Sequence, residues 1–472
     1  MLNRRSGCMP DDKYSLTSEL TDYIESVSYD AIPADVITRA KEAVIDGIGV
    51  TLSGYSADCT TLIRKYIGGL GLDGKCTVMG QGNGLPAEYA ALANGVGSHA
   101  LDFDDTQISL LPDRVYGLLT HPTTPVLSAA IPVAEEVGAS GRDLLAAFCC
   151  GVEVACKVAE AISPYHYQNG FHSTGTIGIF GAAAAAAKLY GMDKEGIRHA
   201  LGIAASKSAG IRVAFGTMTK PYHAGAAAQG GIVAAQLARM GYKTDPEALD
   251  GPWGFFQVAG SGVDPEAIHG KLGNPYAFVD PGVSIKPYPC GSLSHPSMDA
   301  LLDLILEHDV QSQDVAAVRL GTTSNVLAAL RYPEPQNELE AKFSIPFCLG
   351  ILVLERHGGI EQFTDETVLR PDVREMMSRV TPYLHEGLEA LGFQRIRSLV
   401  EVTLKDGTVL SQEASSSRGT PERPMTREEL AAKFQDCSQW LLSAAAQEKV
   451  LDSIYMLDGL DSVSQLTTLL KG

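Results

Sequence analysis

Helical periodicity, with almost no alternation, runs through the first half of this chain and limits what it can fold into. Between Ser15 and Lys243 no stretch alternates apolar and polar residues for long enough to predict a strand. Apolar residues recur instead near every 3.6 positions, and the helix faces are built from Ala and Gly rather than Leu. Side chains this small let neighbouring helices approach closely. The first half therefore predicts an all-helical block of about 230 residues.

The predicted helices of this block follow one another with short connections. They span residues 33–54, 85–101, 125–137, 141–162, 175–190, 193–209 and 221–240. Pro132 lies inside the third of them, where it is expected to bend the helix.

The pattern changes after Gly241. Gly, Pro and aromatic residues punctuate residues 250–289, which indicates a crossing between domains. Beyond it the sequence predicts helices at 298–306 and 345–356, a strand at 315–323, and a hairpin of 398–404 and 408–413 around Asp406-Gly407. Two further helices are predicted at 426–435 and 444–470, and they are expected to pack with the first block. The prediction is a mainly α protein: a large all-helical domain, 13–270 completed by 425–472, and a smaller α+β domain, 271–424.

Charge and composition exclude several classes of partner. The chain of 472 residues carries 37 Lys and Arg against 56 Asp and Glu, a formal charge of −19. Such an acidic protein has no general attraction for nucleic acid or anionic lipid. Residues 1–12 are expected to form a loose tail without a secretion signal, and the richest small-apolar run, 175–187, is shorter than the roughly 20 residues of a membrane span. Nine scattered cysteines without a CxxC pair indicate a reducing compartment, so a cytoplasmic protein is expected.

Three carboxylates stand together at the end of the second predicted helix, in the stretch SHALDFDDT. Asp102, Asp104 and Asp105 are followed by Thr106. Carboxylates are rarely buried without partners, so the cluster forms either a wet surface turn or the floor of a polar cleft. The cleft is favoured because histidine-bearing helix starts recur downstream and need a common place to meet.

Four predicted helix starts carry a histidine beside Ser, Thr or Pro: His121, His172, His223 and His295. The free N–H groups and positive dipole end of a helix favour an anion. If these helix N-termini converge in the fold, they would form a cationic pocket. Its positive charge would be increased by Lys220, Lys286 and Arg212. Any one of these histidines, taken alone, is more often a cap or a solvated side chain than a catalyst. Lys220 has small or apolar neighbours, so it is either a partly buried lysine with a depressed pKa, able to act as a base, or a surface lysine.

Several other kinds of site lack their motifs. No HExxH or CxxC spacing predicts a metal site, no GxGxxG after a strand or GxxxxGK[ST] predicts a nucleotide site, and no GxSxG elbow predicts a serine hydrolase. Two alternatives of another class stay open. One is a metal-dependent hydrolase that uses Asp102, Asp104, Asp105 and His121, and the other is a non-catalytic helical binding protein.

Six ordered motifs carry a family resemblance. They are LDFDDT (101–106), HPTTPVLSAAIPVAEE (121–136), GFHSTGTIGIFGAAAAAAKLYG (170–191), GTMTKPYHAGAAAQGG (216–231), IKPYPCGSLSHPSMDA (285–300) and EAKFS (340–344). Together they resemble the MmgE/PrpD family, which includes 2-methylcitrate dehydratase, cis-aconitate decarboxylase and iminodisuccinate epimerase. The resemblance implies the same two-domain architecture, a homodimer, a site in the cleft between the domains, and no metal or organic cofactor.

Carried over by motif, the resemblance also implies roles for seven residues. The expected catalytic residues are Lys220, His172, His121 and Asp102, and the expected substrate-binding residues are Thr106, Lys286 and His295. Lys220 or His172 would be the base, with His121 as the complementary acid and Asp102 orienting it. The shared chemistry is proton movement at a carbon next to a carboxylate of a small di- or tricarboxylic acid.

Two departures separate this sequence from the decarboxylase-like pattern. The segment between Gln107 and Thr120 is longer, and Tyr332 lies near the EAKFS motif but out of register with the tyrosine that some decarboxylases contribute. We therefore expect a 2-methylcitrate dehydratase-like hydro-lyase, with an epimerase or decarboxylase of the same family, of the iminodisuccinate or cis-aconitate type, as the alternative.

Overall fold

The computed structural model describes residues 15–107, 120–392 and 396–471. The predicted loose tail at 1–12 and the residues between Gln107 and Thr120, the longer segment that we expect to reshape the pocket, lie outside these residues. The residues that flank that loop are joined, since Gln107 and Thr120 form an antiparallel bridge.

Helices dominate the first 260 residues, as predicted. Their bounds are α1 (Leu16–Ser26), α2 (Ala34–Ser53), α3 (Asp58–Gly68), α4 (Ala87–Ala100), α5 (Thr123–Val137), α6 (Gly141–Ala161), α7 (Tyr165–Gln168), α8 (Ser173–Leu189), α9 (Lys194–Lys207), α10 (Thr219–Arg239) and α11 (Phe255–Gly260). All seven predicted helices are present, with ends within a few residues of those expected. One detail differs: β1 (Cys76–Thr77) pairs with β2 (Gly84–Leu85), because strands of two residues are too short to show alternation.

Small residues bring α4, α8 and α10 into close contact at the centre of this block. A Cβ added to Gly95 of α4 would lie 2.7 Å from the Cα of Gly225 in α10. A Cβ added to Gly231, further along α10, would lie 2.5 Å from the Cβ of Ala182 in α8. The Ala and Gly content of these helices therefore permits their backbones to approach closely. His99 lies at the end of α4, and His172 and Lys220 lie at the starts of α8 and α10.

The C-terminal helices belong to the same hydrophobic core. They are α19 (Arg427–Ser438), α20 (Ala444–Tyr455) and α21 (Ser464–Thr467). Phe434 of α19 lies 3.2 Å from the Cβ position of Gly49 in α2. The core thus combines residues 16–285 with residues 430–470. The single helix expected over 444–470 is wrong, since the chain leaves α20 at Met456 and passes through a short turn at Leu457–Gly459.

A second core, formed by residues 288–414, contains the mixed part of the chain. Its four-stranded sheet has the order β4-β3-β5-β6, with β3 and β4 parallel and the other neighbours antiparallel. The elements are α12 (His295–Glu307), β3 (Val315–Thr322), α13 (Ser324–Ala329), α14 (Glu338–Ala341), α15 (Ile345–Glu355), α16 (Asp365–Leu369), α17 (Pro371–Ser378), β4 (Val380–Leu384), α18 (Glu386–Glu389), β5 (Ser398–Leu404) and β6 (Val409–Ala414).

The predicted hairpin forms β5 and β6, and Gly407 in its turn has a φ of 92° that favours glycine. The predicted mainly α class, with a helical part and a smaller α+β part, is confirmed. The eight described cysteines are all buried and unpaired. Among the helices of the described ranges, none combines the length and the apolar run required to cross a bilayer.

Candidate active site

A tight turn after α4 carries three aspartates into the protein interior. Asp102 adopts a left-handed φ of 53°, and Asp102, Asp104 and Asp105 are 4%, 1% and 0% exposed. Buried carboxylates require partners, and each of the three has them. Asp105 accepts hydrogen bonds from the hydroxyl and the backbone N–H of Thr123, at the start of α5. Burial raises the pKa of Asp105 well above its usual range, although the bonds from Thr123 act against the rise.

Two lysines from distant parts of the chain meet at Asp102. The Nζ atoms of Lys220 and Lys286 lie 2.5 and 3.1 Å from Asp102 Oδ1. Lys286 also donates to the backbone oxygens of Asp102, at 2.8 Å, and Cys290, at 3.2 Å. Burial alone would raise the pKa of Asp102, but the two ammonium groups outweigh it and hold that pKa well below its usual range. Burial lowers the pKa of Lys220, with Asp102 acting against the fall.

Two histidines share the carboxylate of Asp104. His99 Nδ1 lies 2.8 Å from both oxygens of Asp104, and His121 Nδ1 lies 3.2 Å from its Oδ2. Burial would raise the pKa of Asp104, but His121 and His99 hold it well below its usual range. His121 Nδ1 is also 2.7 Å from the carbonyl oxygen of Asp105, which can only accept. His121 therefore carries hydrogen on Nδ1, and its Nε2 is left for other partners.

His172 is a buried histidine at the start of α8. Its Nδ1 lies 3.0 Å from Nδ1 of His223, in the first turn of α10. Its Nε2 has no hydrogen-bond partner among the described residues. Burial, together with the nearby charge of Lys220, lowers the pKa of His172 well below its usual range, and burial lowers that of His223. Both rings are therefore neutral near pH 7, and one Nδ1 donates to the other.

Asp102, His121, His172, Lys220 and Lys286 line one narrow cavity of about 40 Å³. Its lining combines the ion pairs with an apolar wall, and it consists of Asp102, Thr106, His121, Tyr167, His172, Phe215, Lys220, Lys286, Gly291, Ser292, Leu293, Ala329, Leu330 and Phe343. Lys220 Nζ lies 5.4 and 5.6 Å from the ring centres of Phe215 and Phe343. The cavity thus lies between the two cores.

A second, smaller cavity adjoins the first. Thr106, Lys286 and Ser292 line both, and His295 and Arg418 line the second. His295 Nε2 donates to the backbone oxygen of Cys290 at 3.1 Å. Of the seven residues expected at the site, six therefore line one cavity, and His295 lies in the adjoining one.

Comparison with known proteins gives the family. The MmgE/PrpD N-terminal domain matches residues 18–268, and the MmgE/PrpD C-terminal domain matches residues 288–457. The chain belongs to the MmgE/PrpD family. It is similar to the cis-aconitate decarboxylase of Homo sapiens, with 29% identity over 97% of this chain and 95% of that protein. It is also similar to the cis-aconitate decarboxylases of Mus musculus, with 27% identity over 97% and 94% of the two chains, and Aspergillus terreus, with 26% over 97% and 96%. The predicted enzyme of the lyase type is confirmed at this level.

Sequence reasoning on this MmgE/PrpD chain missed part of the polar network. It did not select His99, although His99 lies in the motif SHALDFDDT and three residues before Asp102. It named His223 at a helix start but gave it no role at the site. Tyr167, in α7, and Phe215, in the segment before α10, carry no local signal, since only the tertiary fold brings them to the cavity. Arg212, considered as an added charge, stacks on Tyr167 with its guanidinium 3.8 Å from the ring centre.

The polar network was also tested as a metal site. Donor atoms of His99, Asp102, Asp104 and His121 all lie within 4.8 Å of one another. However, Asp102 already binds the ammonium groups of Lys220 and Lys286, and His99 Nε2 lies 2.9 Å from Lys220 Nζ. A divalent cation would be repelled by these adjacent positive charges, so the donor set of this MmgE/PrpD site fits an organic anion better than a metal.

Proposed function

We propose that this protein is a lyase for a small polycarboxylic acid and that its own side chains move the proton next to a carboxylate. The observation that carries the proposal is the meeting of two buried lysines and His172 Nε2, which has no partner in the described part of the chain, on one cavity. The Nζ atoms of Lys220 and Lys286 lie at the cavity beside Asp102, the one carboxylate of its lining, and an entering substrate carboxylate would pair with them. A small polycarboxylate supplies both that anion and the weakly acidic neighbouring carbon.

Decarboxylation is the first candidate reaction, and it is supported by the cis-aconitate decarboxylases that match nearly the whole chain. Lys286 and Thr106 would hold the substrate carboxylates, with His295 holding a more distant one. Breaking the C–C bond releases CO2 and leaves its electron pair delocalised toward a remaining carboxylate. Lys220 or His121 would then deliver a proton to carbon. Asp102 would orient the lysines, and Lys286 would stabilise the charge that develops.

Dehydration, as in a 2-methylcitrate dehydratase, is the second candidate, and the position of Tyr332 favours it. The hydroxyl of Tyr332 donates to the backbone oxygen of Phe215 at 3.2 Å, and the side chain is not part of the cavity lining. Lys220 or His172 would then remove the C–H proton while His121 protonates the departing hydroxyl. Water leaves, and the electron pair of the C–H bond forms the double bond. Epimerisation needs the same first step without loss of a group.

The test is a substrate panel combined with one substitution. Purified protein is incubated in D2O with cis-aconitate, 2-methylcitrate, citrate and iminodisuccinate, and products and deuterium incorporation are followed by proton NMR. We expect Lys220→Met to lower kcat/KM by about 10³-fold or more while the Tm changes little, because the amine moves the proton. Lys243, which is 75% exposed, gives the matched control Lys243→Met, expected to keep full activity. No turnover of any acid, or full activity of Lys220→Met, would overturn the proposal.

We further propose that the chain forms a homodimer. Four apolar side chains near the cavity wall are strongly exposed: Ile211 (55%), Val213 (67%), Met218 (40%) and Tyr222 (43%). Exposed apolar side chains concentrated in one segment are typical of interaction surfaces. Light scattering after size-exclusion chromatography tests the assembly, and a mass of one chain at micromolar concentration would contradict it.

A further inference from the structure

His99 links two parts of the site that the proposed chemistry uses separately. It lies in the last turn of α4 and is 1% exposed. Both of its ring nitrogens are engaged: Nδ1 faces Asp104 at 2.8 Å, and Nε2 faces Lys220 Nζ at 2.9 Å. A continuous line of polar contacts therefore runs from Asp104 through the imidazole to the lysine.

The direction of each hydrogen bond in this line can be assigned. The histidines around Asp104 keep its pKa well below the usual range in spite of burial, so its carboxylate only accepts. His99 must then carry hydrogen on Nδ1. Burial, partly offset by Asp104, lowers the pKa of His99 to about 3, so the ring is neutral and its Nε2 is a lone-pair acceptor. Lys220 is therefore the donor in the contact with His99.

These contacts fix how the amine of Lys220 can point. The tetrahedral Nζ donates to Asp102 Oδ1 at 2.5 Å and to His99 Nε2 at 2.9 Å. In the neutral amine both hydrogens are donated to these acceptors, so the lone pair occupies the one tetrahedral direction that remains. In the ammonium form a third hydrogen occupies that direction instead. Since Lys220 also lines the cavity, that direction is where a bound substrate can reach the nitrogen.

We propose that His99, held in one tautomer by Asp104, is a positioning residue that aims the proton-transfer direction of Lys220 into the cavity. The inference rests on the proposed function, in which Lys220 moves the substrate proton. His99 itself does not touch the substrate cavity: it is absent from the lining, and it acts through the lysine.

A pair of substitutions separates the two contacts of His99. The amide nitrogen of an asparagine falls near the Nδ1 position, so His99→Asn keeps the donor to Asp104 and loses the contact with Lys220. The amide of a glutamine reaches the Nε2 position, so His99→Gln can present its oxygen to Lys220. We expect His99→Asn to lower kcat about 100-fold with KM changed less than about threefold, and His99→Gln to recover at least about tenfold of that loss.

The pH profile supplies a readout that a purely structural role would not move. The charged and titratable groups facing Lys220 are Asp102, Lys286, His99, His121 and His172, with Asp104 behind the histidines. In His99→Asn the other groups stay, but the amine loses one acceptor. The limb of the kcat/KM profile that belongs to Lys220 should therefore shift, whereas His99→Gln should keep the wild-type profile.

His166 provides the matched control. It is 3% exposed, and both of its ring nitrogens are hydrogen-bonded, Nδ1 to Ala259 O at 2.9 Å and Nε2 to Thr176 Oγ1 at 2.6 Å, but it does not line the cavity. His166→Asn measures the general cost of removing a buried imidazole. We expect it to lower the Tm while kcat and the pH profile remain those of the wild type.

The outcomes distinguish this inference from the proposed function. Normal kcat and an unchanged pH profile in His99→Asn, with Lys220→Met inactive, would overturn the inference alone. Equal losses in His99→Asn and His99→Gln, with unchanged profiles, would also overturn it. If Lys220→Met is active, the proposed function itself fails. Should His99→Asn not fold, Asp104→Ala replaces it: it removes the acceptor that holds His99 in one tautomer and should lower kcat strongly, and a wild-type kcat would refute the inference.

Discussion

Glu153 of α6 is a buried carboxyl group outside the candidate active site. It is 1% exposed and accepts hydrogen bonds from the backbone N–H groups of Gly273, at 2.9 Å, and Ala277, at 2.6 Å. It therefore ties α6 to the segment that leads out of the helical block. Burial raises the pKa of Glu153 to about 7, although both backbone donors favour the charged form. The folded protein thus holds a proton here that the unfolded chain releases near pH 4.5.

This residue gives a prediction for the pH dependence of stability. Because the pKa is raised on folding, the stabilisation is complete below about pH 4.5 and is lost as pH rises through about 7. A tenfold change in proton affinity corresponds to about 1.4 kcal/mol, so the loss between pH 5 and pH 8 is roughly 2 to 3 kcal/mol. Glu153→Gln removes this ionisation. Its free energy of unfolding relative to the wild type, from urea titrations, should therefore improve by that amount between pH 5 and pH 8.

The exposed Glu448 offers the control, since Glu448→Gln should give the same difference from the wild type at both pH values. A Glu153→Gln variant whose stability follows that of the wild type at every pH would show that the buried carboxyl group does not titrate in this range.

The sequence identified the charged residues of the site more readily than their partners. Asp102 and Lys220 stand out because charged groups among small or apolar neighbours need an explanation. Their pairing joins positions 118 residues apart, and that of Lys220 with His99 joins positions 121 apart. No local pattern encodes such separations. The tautomer of His99 and the position of His172 Nε2 at the site follow only from the three-dimensional arrangement.

The close approach of α4 and α10 determines where their polar ends lie. His99 ends α4 and Lys220 begins α10, so any separation of the two helices would lengthen the contact between these side chains. A Cβ on Gly225 would lie 2.6 Å from both the backbone oxygen of Leu92 and a methyl group of Val96. Because one of these contacts is with backbone, the helix pair cannot accommodate an added methyl group without moving apart.

We therefore predict that Gly225→Ala destabilises the protein by about 1 to 3 kcal/mol, the usual range for overpacking, in spite of the better helix propensity of alanine. It should also lower kcat through the contact between α4 and α10. Chemical denaturation and steady-state kinetics measure the two effects. Gly68 in α3 is the matched control, because a Cβ there meets nothing within 4 Å, so Gly68→Ala should be neutral or stabilising by up to about 1 kcal/mol. Equal effects of the two substitutions would contradict the packing argument.

Elements with strong periodicity were predictable, and those shaped by tertiary contacts were not. The hairpin of β5 and β6 follows from alternation around Asp406-Gly407. Strand β4 was missed because its sequence, VTPYL, contains Pro382, which fits only an edge position, and β4 is indeed the edge of the sheet. The helix expected to reach residue 470 ends at Tyr455, and Gly459 falls in the turn that follows.

The whole molecule combines opposite electrostatic properties at two length scales. Its formal charge of −19 repels a polycarboxylate at long range. Inside the cavity the ammonium groups of Lys220 and Lys286, facing the single carboxylate of Asp102, attract it at short range. The positive groups come from both cores, since Lys220 belongs to the helical part and Lys286 lies where the chain enters the α+β part. Neither part alone forms the anion site.

Screening should separate these two contributions. Salt at 0.1 M screens charges beyond about 10 Å in solvent, whereas buried pairs are screened much less. Added salt therefore weakens the long-range repulsion more than the attraction inside the cavity. We predict that kcat/KM for a tricarboxylate rises about twofold between 10 and 150 mM salt, and that kcat at saturation stays constant because the bound substrate is already shielded from solvent ions. Initial rates in NaCl and in sodium gluconate, compared to detect competition by chloride, would measure this. If kcat/KM falls steadily with added salt in both cases, the local positive field extends beyond the cavity and outweighs the net charge. The encounter between protein and substrate would then be attractive at long range as well.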